Sequence, residues 1–221
     1  MRRIKRYGGK QQTLPIKDPK LVTRIMDYWR FLIDHAATDK MRNRSYRNYM
    51  LFLIGFNTAF RAEDLLQLKV RHVIKGYVSI KENKTGKMQH FRMNKKLHEE
   101  ILTYINYFSL KENDYLFMGQ KTKTTHDGVT TPVIYPITRQ NCDSSIFPKI
   151  IKAFNIDFNF SLHSLRKTFG YMYVLNGGNP LTLMKMLNHD SLETTMLYIM
   201  WNTEDAEKDR ESIYIGGIRS D

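Results

Sequence analysis

The sequence has little that would anchor or staple it. No apolar run approaches the roughly 18–20 residues that a membrane-crossing helix needs, so neither a transmembrane segment nor a membrane partner is expected. Cys142 is the single cysteine; an internal disulfide is impossible, which fits a reducing cytoplasm. The stretch from Met1 to Lys10 is basic but lacks the apolar core of a secretory signal. Internal repeats and low-complexity tracts are absent. The acidic side chains do not gather into the paired clusters that a two-metal nuclease uses, and no metal or other cofactor is expected.

What is present in excess is positive charge. Across 221 residues, 35 Lys and Arg face 22 Asp and Glu, a formal charge of +13. A surplus of that size favours a polyanionic partner, because each neutralised phosphate releases condensed counterions. Ribosomal and membrane-surface proteins share the bias, so charge alone does not select the partner. With 42% hydrophobic residues, the chain can bury one good core, a domain or a domain and a half.

Residues 1–12 carry Arg2, Arg3, Lys5, Arg6 and Lys10 around a Gly8-Gly9 pair. They read as a basic arm able to track phosphates, or equally as a solvated terminus. Asp18-Pro19 is a helix start, and Leu21, Ile25, Trp29, Leu32 and Ala36 recur at helical spacing, so a helix is expected over about 18–37. A second helix follows, with Tyr49, Leu53, Phe56 and Phe60 as its buried stripe. Its start clusters Lys40, Arg42, Arg44 and Arg47, a candidate DNA-backbone patch that a merely solvated helix end would resemble. Arg61 then opens a short helix rich in leucine.

The runs 72–76, 77–82 and 90–93 are β-branched or aromatic and flank Asn83-Lys84-Thr85-Gly86-Lys87. They predict a small antiparallel sheet with a tight glycine-containing turn. Helices are expected over 95–108 and from Thr138 to about Phe154. Between them, 119–132 has no apolar period and reads as a polar surface loop, with Lys121 and Lys123 as further DNA-contact candidates. The fold class is therefore α+β, mostly α-helical. Past Tyr198 the chain turns acidic and ends in a short apolar patch, 213–218.

The stretch 161–198 holds His163 and Arg166, then His189, then Tyr198. On a helix, a three-residue spacing puts His163 and Arg166 on one face. Cleaving a DNA strand without a metal needs a nucleophile, neutralisation of the phosphate's growing charge, and a proton for the departing oxygen. Tyrosine suits the first role and arginine's fixed fork of donors the second.

Together with Arg61 far upstream, this order of residues resembles the tyrosine recombinases, the phage integrase family, over about 18–200. The resemblance implies a domain at 13–200 that cleaves and rejoins DNA strands through a 3′-phosphotyrosine. Tyr198 would be the nucleophile and Arg61 and Arg166 the phosphate clamp. His163 would be a general base or a further phosphate donor, and His189 would bond a non-bridging oxygen. Lys84 would protonate the leaving 5′-hydroxyl, with Lys87 as its rival, and Asp64 would hold the clamp. Double-stranded DNA and three further copies of the chain are the implied partners, and the nucleoid is the implied location.

Residues 201–221 would dock on a neighbouring subunit, as C-terminal tails do in this family, or fold back on their own domain. Relaxation of supercoils by a type IB topoisomerase and non-cutting DNA-binding regulation are the competing functions for such a domain. Three departures from the family pattern stand out: Asn188 where glycine commonly precedes the histidine, Ala59-Phe60 before Arg61, and Lys167 after Arg166. Typical members also carry a helical core-binding domain ahead of the catalytic one; a chain that starts this close to the catalytic domain resembles short members such as the fimbrial switch invertases, or is a piece of a longer protein.

Overall fold

A computed structural model describes residues 12–126 and 129–213. The basic arm up to Gln11 and the apolar patch beyond Ile213 lie outside the described residues. Helix α1 (Pro19–Asp34) starts where Asp18 accepts from the Lys20 N–H at 2.8 Å, with Pro19 at the first helical position. It lays Ile25 and Trp29 on α2 (Asp39–Asn57), whose middle is buried on nearly every side. The helix stops at Asn57. Phe60, expected on its stripe, is buried instead in the extended segment that leads to Arg61 and α3 (Ala62–Leu66).

Of the runs expected to form the sheet, 72–76 is not a strand. A 3-10 turn, Val70–His72, and a left-handed Gly76 (φ +79°) occupy it. Strands β1 (Tyr77–Lys81) and β2 (Met88–Arg92) pair antiparallel, Tyr77 opposite Arg92 and Lys81 opposite Met88. Their turn closes through Glu82 N–H to Lys87 C=O at 2.9 Å, with Gly86 at φ +68°. Helix α4 (Lys95–Phe108) follows with Leu97, Ile101 and Ile105 inward.

The polar loop expected over 119–132 is a second hairpin. Strand β3 (Met118–His126) pairs antiparallel with β4 (Val129–Pro136), Thr122 opposite Val133 and His126 opposite Val129. Threonine is β-branched and favours strands without being apolar, so a Thr-rich ribbon forms here with no apolar alternation to announce it. The expected helix from Thr138 is also not uniform. It runs α5 (Arg139–Asn141), a π-helical turn at Cys142–Ile146, then α6 (Phe147–Phe154). Pro148 has no N–H to donate and its ring crowds the preceding turn, which a π turn relieves.

The carboxyl half is helical: α7 (Leu162–Leu175), α8 (Pro180–Met186), α9 (Leu192–Ile199) and α10 (Thr203–Ser212). Helix α7 is the divider. One face joins the large core of α1, α2, α4 and α6; the other meets α8 and α9 in a smaller cluster of Tyr171, Leu183, Leu187 and Ile199. Two glycines permit this. A Cβ on Gly55 of α2 would lie 2.6 Å from Leu165 Cδ1, and one on Gly170 of α7 would lie 2.7 Å from Ile199 Cγ2.

The segment before α1 runs as a belt across α7. Leu14 N–H donates to Asn159 C=O at 3.4 Å, Ile16 N–H to Thr168 Oγ1 at 2.9 Å, and Lys167 Nζ to Thr13 C=O at 2.8 Å. Lys17 pairs with the buried Asp205 of α10 at 2.5 Å, and Tyr171 donates to the same carboxylate at 2.8 Å. The acidic stretch after Tyr198 thus folds back, up to Ser212, on its own body.

Gly170→Ala tests the α7–α9 approach. Alanine favours a helix interior by up to about 1 kcal/mol, but forcing a methyl against the rigid β-branch of Ile199 costs about 1–3 kcal/mol. The expected result in denaturant unfolding is a net loss of up to about 2 kcal/mol.

Candidate active site

A cleft of about 550 Å³ opens where the two cores meet, and Arg61, Asp64, Lys84, His163, Arg166, His189 and Tyr198 all line it. These residues come from α3, the β1–β2 turn, α7, the α8–α9 turn and α9. Arg139 of α5, which carries no motif in the sequence, lines it too. Lys84, exposed on its turn, is part of the lining; Lys87 is not.

Arg166 is 3% exposed. Its guanidinium donates to the Ala59 carbonyl, two residues before Arg61, and to the Leu187 carbonyl, two residues before His189, the latter at 2.7 Å. Serine and glycine make its helix possible at this place: Ser161 N–H donates to Ser164 Oγ at 3.1 Å at the start of α7, and Gly170 lets α9 approach. Tyr198 projects from α9 with its ring edge-on to His189, centroids 5.0 Å apart. The Arg166 and Lys167 cations lie 5.9 and 5.0 Å from the Tyr198 ring centre. Burial raises the Tyr198 hydroxyl pKa above its ordinary value, while Arg166 and Arg61 pull the other way.

Arg61 caps the start of α3 in extended conformation and is about one-fifth exposed. Asp64 was expected to hold it. The structure gives that contact to Glu82, whose buried carboxylate pairs with the Arg61 guanidinium. Asp64 instead accepts from the Asn83 N–H at 2.9 Å and so anchors the turn that carries Lys84. Alternation along β1 held the signal that was missed, since Glu82 follows Val78 and Ile80 on the buried face. Burial alone would raise the Glu82 pKa; hydrogen bonds from Thr85 and Asn188 and the Arg61 charge hold it below the ordinary carboxylate value.

His189 sits after Asn188, whose left-handed φ of +52° turns the chain from α8 into Ser191, the cap of α9. Its Nδ1 is 3.1 Å from Thr195 Oγ1, whose hydroxyl also reaches the Ser191 carbonyl at 3.1 Å. His163 and His189 both have depressed pKa values. Burial is the larger cause for each, followed by Arg139, Arg166 and Lys167 at His163 and by Arg166 and Arg61 at His189. The shift favours the neutral form of each. Burial also lowers Lys167, to about 8.

The backbone-contact candidates separate. Arg44 is exposed and lines a groove between α2 and the second hairpin together with Lys40 and Lys149. Arg42 is paired with Asp39 at 2.6 Å at the surface. Arg47, half-buried, donates to the Met118 carbonyl at 3.0 Å and to Asn48. Lys121 and Lys123 belong to β3, and their side chains lie outside what is described. No described helix is long and apolar enough to cross a membrane.

A proton titration of the two imidazoles by NMR should find both below the ordinary 6.5. Protons then bind the unfolded chain more readily than the fold. Their contribution to stability is complete above pH 6.5 and is lost as pH falls from there through the depressed folded values.

A profile of the phage integrase family matches residues 26–205. Over 158 residues the chain is 33% identical to a probable integrase/recombinase, YoeC, of Bacillus subtilis, covering 71% of this chain and 79% of that one. The tyrosine recombinase XerD of Staphylococcus haemolyticus is 26% identical over 200 residues, with 87% of this chain and 64% of XerD covered. The XerH recombinase, solved bound to its difH substrate after cleavage, has the same fold, with a TM-score of 0.61 at 20% identity over 93% of this chain and 54% of XerH. This chain therefore spans less than two-thirds of XerD and XerH. With the profile running through Arg61, Arg166, His189 and Tyr198 alike, the chain belongs to the phage integrase family.

Proposed function

We propose that this chain is a site-specific DNA recombinase whose catalytic unit is residues 13–200, and that Tyr198 attacks the scissile phosphate. The observation that carries the reading is the meeting of two arginines, two histidines, a lysine and a tyrosine in one cleft. In the cleavage step, the Tyr198 oxygen forms a bond to phosphorus and the bond from phosphorus to the 5′-oxygen breaks. The tyrosine proton passes to His163, which burial and its cationic neighbours keep unprotonated and ready to accept it. The 5′-oxygen takes a proton from Lys84. A 3′-phosphotyrosine and a free 5′-hydroxyl result, and the reverse step with a second strand rejoins the DNA.

Arg61 and Arg166 neutralise the charge that grows on the non-bridging oxygens. His189 supplies a third contact when protonated: its Nδ1–H donates to Thr195, whose own proton goes to the Ser191 carbonyl, so the imidazolium form has an Nε2–H for the phosphate. A phosphodiester seated among these groups would restore the ordinary basicity of both histidines, because its negative charge offsets the arginines. Double-stranded DNA is the substrate. Strand exchange proceeds on four copies of the chain around a Holliday junction, at the nucleoid. The groove lined by Lys40, Arg44 and Lys149 carries the duplex backbone, with the 1–12 arm adding phosphate contacts, and the end of the 201–221 tail reaches a neighbouring copy.

Trapping on nicked duplex DNA of the flanking sequence tests the nucleophile. A covalent adduct should form on a denaturing gel with the native chain and vanish with Tyr198→Phe; an adduct that persists would move the nucleophile elsewhere. Lys84→Ala should slow cleavage about a hundredfold on ordinary DNA. It should cleave near the native rate when the 5′-oxygen is replaced by sulfur, since a thiolate leaves without a proton. Failure of sulfur to restore that rate would remove Lys84 from the acid role.

A further inference from the structure

The Glu82 carboxylate has no place in the chemistry above, yet it is the junction on which three parts of the cleft converge. Its side chain is fully buried. Oε1 accepts from Asn188 Nδ2 at 2.9 Å and from Gln89 Nε2. Oε2 accepts from Thr85 Oγ1 at 2.5 Å and faces Arg61 Nη1. Every partner is a donor. An ionised carboxylate offers about four lone-pair sites and no proton, so it satisfies all of them at once. Glutamine lacks the charge that faces Arg61, and its NH₂ group meets donors unless Asn188 and Gln89 both turn their amides over.

The partners matter as much as the count. Thr85 adjoins Lys84, Asn188 adjoins His189, and Arg61 is itself part of the cleft. The departure at Asn188 has a physical reason here. Its left-handed φ of +52° suits glycine, and asparagine tolerates it while adding the donor that glycine lacks.

We propose that Glu82 is the positioning residue of this cleft: it sets the Arg61 guanidinium and ties the Lys84 turn to the His189 turn, without touching the substrate. The proposal rests on the strand-cleavage reading above. It carries a signature that a merely structural anion would lack. Glu82 places a negative charge behind a site for an anion, so it opposes DNA binding even as it orients Arg61. Removing that charge should leave binding unchanged or tighter while cleavage slows, the opposite pairing to general destabilisation. A misplaced catalytic group of about 1 Å costs about a hundredfold in rate.

The experiment compares the native chain, Glu82→Gln, and Glu82→Gln combined with Asn188→Asp, which returns a carboxylate to the same junction. Salt-dependent DNA binding, adduct-forming rate and thermal unfolding are measured for each. Support is an adduct rate down about a hundredfold in Glu82→Gln at equal or tighter DNA affinity, at most partly restored by the 5′-sulfur substrate because Arg61 is also displaced, and partly recovered in the double variant. The native rate in Glu82→Gln overturns the proposal. So does loss of binding and cleavage together in step with a fallen melting temperature.

If the native chain itself forms no adduct, the strand-cleavage reading fails, and hydrogen exchange on the free proteins decides the junction separately. Faster exchange in both 82–89 and 187–190 of Glu82→Gln, with α1 and α4 unchanged, supports the tie. Unchanged exchange in either segment overturns it.

Discussion

The arrangement depends on one buried guanidinium holding two backbone carbonyls. Arg166 sits on the dividing helix, 3% exposed, and reaches Ala59 on one side and Leu187 on the other. Leaving a charge that deep without partners would cost several kcal/mol. Those carbonyls therefore have to be brought to it, and with them come the segments that end in Arg61 and His189. A lysine could not serve, since its single nitrogen cannot span two acceptors in the fixed fork that arginine presents. The close helix approaches at Gly55 and Gly170 are the steric condition for the same contact, because they let α2 and α9 close on α7 from both faces.

Around that contact, burial is the first cause of the pKa shifts. It lowers the affinity of both histidines for protons, with the charges of Arg61, Arg139, Arg166 and Lys167 adding to it, and burial alone takes Lys167 to about 8. Asp64 and Glu82 supply the counter-charge, and they respond differently. Burial raises Asp64 because a single backbone N–H partly offsets it, whereas the donors around Glu82 more than compensate its burial. A cleft in this condition is stabilised by an anion entering it.

Legibility in the sequence followed how strongly each feature depended on local pattern. Helices α1 and α4 were readable from apolar spacing and caps, and the first hairpin from its β-branched runs around a glycine turn. The second hairpin was not, because Thr122, Thr124, Thr125, Thr130 and Thr131 make a strand by backbone preference while looking like a polar loop. The site residues are far apart in the chain, and only their order and a family likeness brought them together on the page. Contacts between them were out of reach: that Glu82 rather than Asp64 meets Arg61, and that Arg47 turns inward to Met118, are decided by packing that no short spacing encodes.

The belt before α1 has a mechanical consequence. Gln12 reaches Met200 at the end of α9, Thr13 holds Lys167 beside the Tyr198 ring, and Lys17 is pinned to Asp205 of α10. The amino-terminal belt thus touches the end of α9, the Lys167 ammonium over the Tyr198 ring and α10, while Ile16 within it is buried in the large core. One short segment therefore bridges the large core and the helix that bears the tyrosine.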